Sequence, residues 1–485
     1  MDWQDSVRKV REMVKYYEQL GVNPLSLATG CAVKVDLVRV VYPAIRRVRP
    51  ELERKGLKIA PREDADIFPK PSEGVELHRK IYNLGPDTNV NPAEIAKLGP
   101  SRAIVLVQVY QGYADKPESF LEKVLPVYER IADSGVEIYM GKGHSIVTPF
   151  RNDEFMLIDF IRLLGGRPEG YTVANNDTIH IIDPTRPPTD YKQVAGGIGN
   201  ALNDLFVLGA HENIRIALTV NAPTDDVRSQ LLANAEKFAK SIGAEVLEVP
   251  LPDRGRLLIG ATVLADMHKH PPTFYDRVEP GMKLIATRPF GELAPINVYL
   301  ATVIDEEFVK ILEAKGISFD ELEKAKERAV DYIASPNREA ARVISKYLPE
   351  SREDYRSGEH IVATTDVTGP GIYVVWELAE QMNARIKLYD VPLLFPEYAE
   401  LAASYFILLN ATSGTNGGYV IVAPEQVADD IVRDLKAAGY QPRVFGEVEA
   451  VGQPEVLVPS TITRYVKDEK VLEKLRLYDG GRADG

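Results

Sequence analysis

The sequence predicts an α+β fold, an α/β sandwich with mixed sheets. Three observations predict it. Residues 102–147 carry a strand, a helix and a second strand. Residues 171–264 begin in the same alternating way but close on two successive strands, 245–249 and 257–264. A doubly wound parallel sheet would put a helix between them. Two glycine turns, at 369–371 and 414–418, each adjoin a strand in the C-terminal part. The 485 residues suit about three domains.

Taken in order, residues 2–20 read as an amphipathic helix with Val7, Val10, Met13, Val14 and Tyr17 on one side. A small-residue loop holding Cys31 and Lys34 follows, then an apolar helix, completing a unit over 1–50. Residues 50–100 are rich in Pro, Asp and Glu and read as irregular. Strand 103–109, helix 117–134, strand 136–140, the turn Gly141-Lys-Gly-His-Ser-Ile146 and helix 154–164 make the rest of an inserted α/β segment, 51–170. The unit 171–275 holds strand 178–182, a glycine-rich helix and strand 214–220. A helix capped by Thr224 then carries Val227, Leu231, Ala235, Phe238 and Ile242 inward, before the two closing strands. The unit 276–455 opens with a turn and strand at 280–291. Helices 305–315, 318–334 and 337–347, a strand into the first glycine turn, a helix from 372, the second glycine turn with its strand, helix 425–438 and strand 442–448 complete it. Residues 456–485 read as a tail.

Composition excludes several classes. A formal net charge of −13 does not suit a general nucleic-acid binder, because phosphate contacts need basic surface. No apolar run approaches membrane-spanning length. The opening Met1-Asp-Trp-Gln-Asp5 is acidic and polar, so no secretory leader is expected. One cysteine excludes an internal disulfide framework and a Cys-cluster zinc site. The expectation is a cytoplasmic protein without nucleic-acid or membrane partners.

The stretch 194–210 is the most informative. As a helix it puts Val194, Ile198, Leu202 and Leu205 on one apolar face and Gly196, Asn200 and Asp204 on another stripe. Glycine inside a helix costs about 1 kcal/mol relative to alanine, so Gly196, Gly197 and Gly199 predict a close approach by another backbone or a ligand. The plainer alternative is a helix packed tightly on a sheet. Asp177, Asp183, Asp204 and Asp366 fall at strand ends and turns, where each alone could be a cap. Gathered, they would repel one another unless Mg²⁺ bridged them to nucleotide phosphates. The glycine turns could present N–H groups to phosphate, although neither matches the P-loop or G-x-G-x-x-G pattern.

The order of these motifs resembles one family. Thr364-Thr-Asp-Val-Thr-Gly-Pro-Gly371 resembles the T-D-V-T-G-F-G of selenophosphate synthetase (selenide, water dikinase). Asn200-Ala-Leu-Asn-Asp204 resembles its N-A-L/I-S-D, and the segment from Pro280 to Gly291 its P-G-D-x-L-x-L-T-K-P-L-G. Residues 413–418, Asn176-Asp-Thr-Ile-His-Ile and Gly30-Cys-Ala-Val-Lys34 are similar to its T-S-G-G, D-D-A-A-V-Y and G-C-G-C-K. The resemblance covers residues 25–40 and 171–455. It implies a two-domain aminoimidazole ribonucleotide synthetase-like fold, here with an extra N-terminal βαβ segment, that forms a homodimer.

The same resemblance implies an ATP-dependent phosphotransferase that phosphorylates selenide or sulfide, taking ATP to AMP and phosphate. Asp177, Asp204 and Asp366 would hold Mg²⁺. Lys34, Asp183, Asn200, Asp204, Thr365 and Gly369 would meet the nucleotide. Cys31 and Lys34 would be catalytic, the cysteine facing the chalcogen. A lone cysteine is more often a buried small hydrophobe, but a lysine beside it in a glycine-rich loop favours thiolate. Val33 stands at the family's second loop cysteine, and Val249-Pro-Leu-Pro-Asp253 at its Gly-Gly-His loop. Residues 141–146, with their own Gly-Lys-Gly-His, are a candidate replacement for that loop, against the reading of an ordinary turn. The alternatives are another enzyme of this superfamily with a different nucleophile, or a non-catalytic ATP-binding protein.

Overall fold

The computed structural model describes residues 3–21, 60–61, 67–68, 146–149, 156–157, 170–179, 181–248, 255 and 257–479. Cys31, Lys34, residues 141–145 of the turn 141–146 and the expected elements between 103 and 140 lie outside the described residues; Ile146 opens a strand.

Helix α1 (Trp3–Gln19) buries Val7, Val10 and Tyr17, as its periodicity requires. Two short pairs follow, β1 (Ala60–Pro61) with β2 (Ile67–Phe68) and β3 (Ile146–Pro149) with β4 (Met156–Leu157), both antiparallel. β4 corrects the expected helix 154–164. Met156 and Leu157 pair with Val147 and Ile146, and ladder pairing outweighs a local helical period.

The first sheet is completed by β5 (Tyr171–Ile179), β6 (Glu212–Asn221), β7 (Glu245–Leu247) and β8 (Leu258–Met267). Its order is β4-β3-β5-β8-β6-β7. All neighbours are antiparallel except β6 and β7, so the sheet is mixed as expected. β5 lies further N-terminal than the expected strand 178–182. It is central, between β3 and β8, and largely buried on both faces, so alternation was a poor guide to its limits. Helix α2 (Tyr191–Phe206) packs on β5 and β8, and helix α3 (Asp225–Ser241), capped by Thr224 through the Val227 amide, packs on β6.

The second sheet begins with β9 (Lys283–Ala286). A helical layer follows: α4 (Leu293–Ile304), α5 (Glu306–Ala314), α6 (Phe319–Ala334) and α7 (Arg338–Lys346). Then come β10 (Ala363–Asp366), α8 (Val374–Gln381), β11 (Ala384–Leu388), α9 (Pro396–Ser404), β12 (Tyr419–Ala423), α10 (Glu425–Ala437) and β13 (Arg443–Val451). The expected tail is corrected for its first part. β14 (Glu455–Pro459), α11 (Glu469–Glu473) and β15 (Arg476–Tyr478) extend the sheet, giving the order β10-β12-β9-β13-β11-β14-β15. β14 and β15 run parallel to their neighbours and the remaining pairs antiparallel.

One continuous apolar core runs from the first sheet through α2 and α7 to Ile285, Tyr419 and Ile421 of the second. The two sheets therefore enclose α2, which is buried on nearly every side. Among the described residues no helix is long and apolar enough to cross a membrane.

Candidate active site

The site is built on a match of two spacings. Two residues along a strand rise about 6.6 Å, and four along a helix rise about 6 Å. Asn175 and Asp177 lie on one face of β5, and Asn200 and Asp204 lie one turn apart on α2. The two pairs therefore meet as a ladder. Asn200 donates through Nδ2 to Asp177 Oδ2 at 2.5 Å, and Asn175 donates through Nδ2 to Asp204 Oδ2 at 2.5 Å. The Asn175 amide also reaches the carbonyl of Ala201 at 3.3 Å.

The ladder continues to the second sheet's side through the loop 413–418. Asn200 Oδ1 accepts from the Asn416 amide at 3.1 Å and from Thr415 Oγ1 at 3.2 Å. Asn416 holds φ at +46°, a region asparagine tolerates better than most residues. Its carbonyl accepts from Arg288, and its side chain donates to the carbonyl of Ile333. Gly199 is where the helix admits this loop: an added Cβ would lie 2.6 Å from Asn416 Nδ2. Gly196 and Gly197 do something plainer. Ile182, Ile333 and Ile259 fill the space their side chains would take. Packing thus explains two of the glycines and the loop 413–418 the third.

Asp366 lies at the end of β10. Its Oδ2 accepts from the Thr368 amide at 3.2 Å, and Thr364 Oγ1 donates to the carbonyl of Val207 at 2.6 Å, tying β10 to the end of α2. Tyr419, paired with Asp366 across the sheet, donates its hydroxyl to Asn203 Oδ1 at 2.5 Å. Burial, then Tyr440, raise the Tyr419 hydroxyl far above its usual pKa, and the fields of Asp366 and Asp204 add to that. Thr365 is half-buried beside Asp366. Gly369, with φ +86°, donates its amide to the carbonyl of Gly414 at 2.9 Å. That amide joins the two glycine turns.

Asp183 sits elsewhere. Its backbone amide donates to Gln193, two turns before Asn200 on α2. Its fully buried carboxylate accepts from Thr185, from Arg186 Nε at 3.1 Å and from Lys326 Nζ at 3.3 Å. Arg186 also pairs with Asp190 and Glu327, and Lys326 with Glu327 at 3.0 Å. Burial pulls the Lys326 ammonium down, but Asp183 and Glu327 outweigh it and the net shift is upward.

Glu292, at the start of α4, was not expected. It is fully buried, with no hydrogen-bond partner for either carboxyl oxygen. An added Cβ at Gly414 would lie 2.1 Å from its Oε2, and one at Gly417 3.4 Å from its Oε1. Two of the loop glycines therefore make room for a carboxyl of the protein itself. Burial pushes Glu292 up to about 7, against the opposing pull of Arg288 and of the amides of Glu292 and Gly291. Asn175 and Glu292 left little signal in the sequence. Asn175 could have been found from its period-2 relation to Asp177.

Among the described residues no group of three or more His, Cys, Asp or Glu side chains is arranged to hold a metal on its own. The expected trio Asp177, Asp204 and Asp366 is therefore not gathered as a stand-alone metal site. Asp177 and Asp204, oriented by neutral amides, are hard oxygen donors of the kind Mg²⁺ takes beside phosphate oxygens.

Residues 302–459 match the family described as AIR synthase related protein, C-terminal domain. A Caenorhabditis elegans protein named "Probable selenide, water dikinase" is 25% identical over 278 residues, 52% of this chain and 67% of that one. A thiamine-monophosphate kinase structure from Stenotrophomonas maltophilia K279a is 15% identical, covers 64% of this chain and 90% of its own, and has a TM-score of 0.42. A structure of the hydrogenase maturation protein HypE in complex with ATP is 16% identical, covers 61% and 83%, and has a TM-score of 0.40.

Proposed function

We propose that the chain, whose residues 302–459 match the AIR synthase related C-terminal domain and which is similar to a probable selenide, water dikinase, is an ATP-dependent phosphotransferase acting on selenide or sulfide. The observation that carries the reading is the ladder Asp177–Asn200 and Asp204–Asn175, joined to the second domain at Thr415 and Asn416. It presents two carboxylates in fixed orientation beside an interdomain loop, and amides orient a carboxylate without cancelling its charge. Asp177 and Asp204, with Asp366 from the second domain, would hold Mg²⁺ with the ATP phosphates. Bound Mg²⁺ supplies charge neutralisation at the phosphate oxygens.

In this reading the chain's own residues bind and orient. Asn200 ties the metal-holding face to the loop, so both domains close on one nucleotide. Lys34 meets the phosphates and the Cys31 thiolate guides the soft chalcogen nucleophile. ATP, water and the chalcogenide give AMP, orthophosphate and a chalcogen-phosphate. The protein works as a cytoplasmic homodimer, which light scattering at micromolar concentration would check.

Phosphorus NMR of ATP incubated with the protein, Mg²⁺ and either selenide or sulfide tests the reaction. A chalcogen-phosphate signal appearing with AMP and orthophosphate is expected. Absence of product with both chalcogenides would contradict the substrate. Cys31→Ser should spare nucleotide binding and cut product formation. Product at the normal rate would make Cys31 a packing residue.

A further inference from the structure

Buried carboxyl groups normally have partners, because an unpartnered one loses its hydration without replacement. Glu292 departs from that rule beside the proposed site. The turn before it fixes its place. Gly291 takes φ +88°, and Phe290 is held on both sides, its amide by the carbonyl of Pro392 and its carbonyl by the amide of Leu394. The side chain is thereby directed between Gly414 and Gly417. The loop it meets is gripped from outside. Gly369 binds the carbonyl of Gly414, Arg288 that of Asn416, Asn203 and Asn337 that of Gly417, and Val367 that of Gly418. Glu292 fills the remaining side.

We propose that Glu292 is a positioning residue for the candidate site: as a neutral acid it seats the loop 413–418 against Asn200, and on ionising it unseats that loop. The inference rests on the proposed nucleotide site only for its consequence, since the seating itself is a property of the ligand-free chain. The charged group acting on Glu292 is Arg288, from its own strand-to-helix turn, and Arg288 Nε has no hydrogen-bond partner. The loop 413–418 carries no ionisable side chain. Neither do Val367 and Thr368, and Asp366 before them accepts from the Thr368 amide. A carboxylate forming between two glycines is opposed by its burial, which outweighs the pull of Arg288 and of the amides of Glu292 and Gly291, whereas a carboxylic acid fits the same space without charge. Loss of the seat frees the Asn416 amide from Asn200, and Asn200 is the group that holds Asp177.

The test is hydrogen exchange of the loop 413–418 in the ligand-free full chain, read by mass spectrometry between pH 4.5 and 8 and corrected for intrinsic exchange. Protection in the wild type should fall as pH rises from 4.5 to about 7, on the order of tenfold per pH unit, and level off above that, as the ionised form selects the unseated loop. Glu292→Gln should remove that dependence. Gly414→Ala, which forces a methyl into the carboxyl, should lower protection at every pH. Flat wild-type protection, a fall retained in Glu292→Gln, or full protection in Gly414→Ala would each overturn the proposal. If the glutamine variant does not fold, the wild-type profile and the alanine variant still decide. Calorimetry with Mg²⁺ and ATP separates the two readings. Affinity that follows the loop's pH profile supports the link to the site. Affinity that ignores a real loop transition overturns the positioning role, and no nucleotide binding overturns the proposed function alone.

Discussion

Two carboxylate neighbourhoods lie two turns apart along α2, and they are built differently. Near Gln193, Asp183 is enclosed with Arg186 and Lys326, and Glu327 and Asp190 complete the set. Near Asn200, Asp177 and Asp204 are gripped by side-chain amides. A cation cancels a carboxylate's charge, while an amide only directs it. The first arrangement is self-contained and joins the segment after β5 to α6. The second is the one we propose turns its charge toward Mg²⁺ and phosphate. Residue type alone does not separate them, since both centre on aspartates at the edge of the same helix.

The largest expected effect comes from breaking the first neighbourhood. Lys326→Met removes one member of a buried set and leaves charge behind, which typically costs about 3–5 kcal/mol. Thermal unfolding would show it, and a wild-type melting temperature would mean the cluster contributes little. Next is the pH dependence from Glu292. Its folded pKa of about 7 stands above the ordinary glutamate value of 4.5. The acid form is therefore favoured by folding, and its contribution is full below 4.5 and lost as pH rises to about 7. The linkage amounts to about 3 kcal/mol. Glu292→Gln should gain stability relative to the wild type between pH 5 and pH 8 by roughly that amount, and parallel stability profiles would contradict it. Asn200→Ala comes third. It removes a buried amide bonded both to Asp177 and to the loop 413–418, at about 1–3 kcal/mol, and should loosen that loop more than the first sheet. Equal loosening of both would erase the distinction between the ladder and its setting. The smallest effect is expected from Lys324→Ala, which removes a solvent-exposed pair with Asp320. Exposed pairs contribute little, so its melting temperature should match the wild type and mark the cluster at Lys326 as a product of burial.

Much of this contrast was legible in local pattern, and the rest depended on distant chain. The stripe of Asn200 and Asp204 follows from helical period, and the strand bearing Asp177 was foreseen near its place. The partner Asn175 was not, because β5 is buried on both faces and carries no clean alternation. α4 was missed for a related reason. It is apolar on nearly all sides, so no amphipathic period marks it. β14 looked like a tail because its pairing with β11 is made across about seventy residues of chain. Asp183 shows the limit most clearly. A motif position suggested nucleotide, but Lys326, which meets its carboxylate, lies 143 residues away. No local reading can weigh such a partner.

The central claim is that Asp204 serves a ligand and not the fold. Calorimetric titration of Asp204→Asn with a non-hydrolysable ATP analogue, with and without Mg²⁺, tests it most directly. Asparagine keeps the shape and removes the charge. The account predicts a wild-type melting temperature and a loss of at least tenfold in Mg²⁺-dependent affinity, equivalent to about 1.4 kcal/mol. Undiminished Mg²⁺-dependent affinity in the folded variant would contradict it.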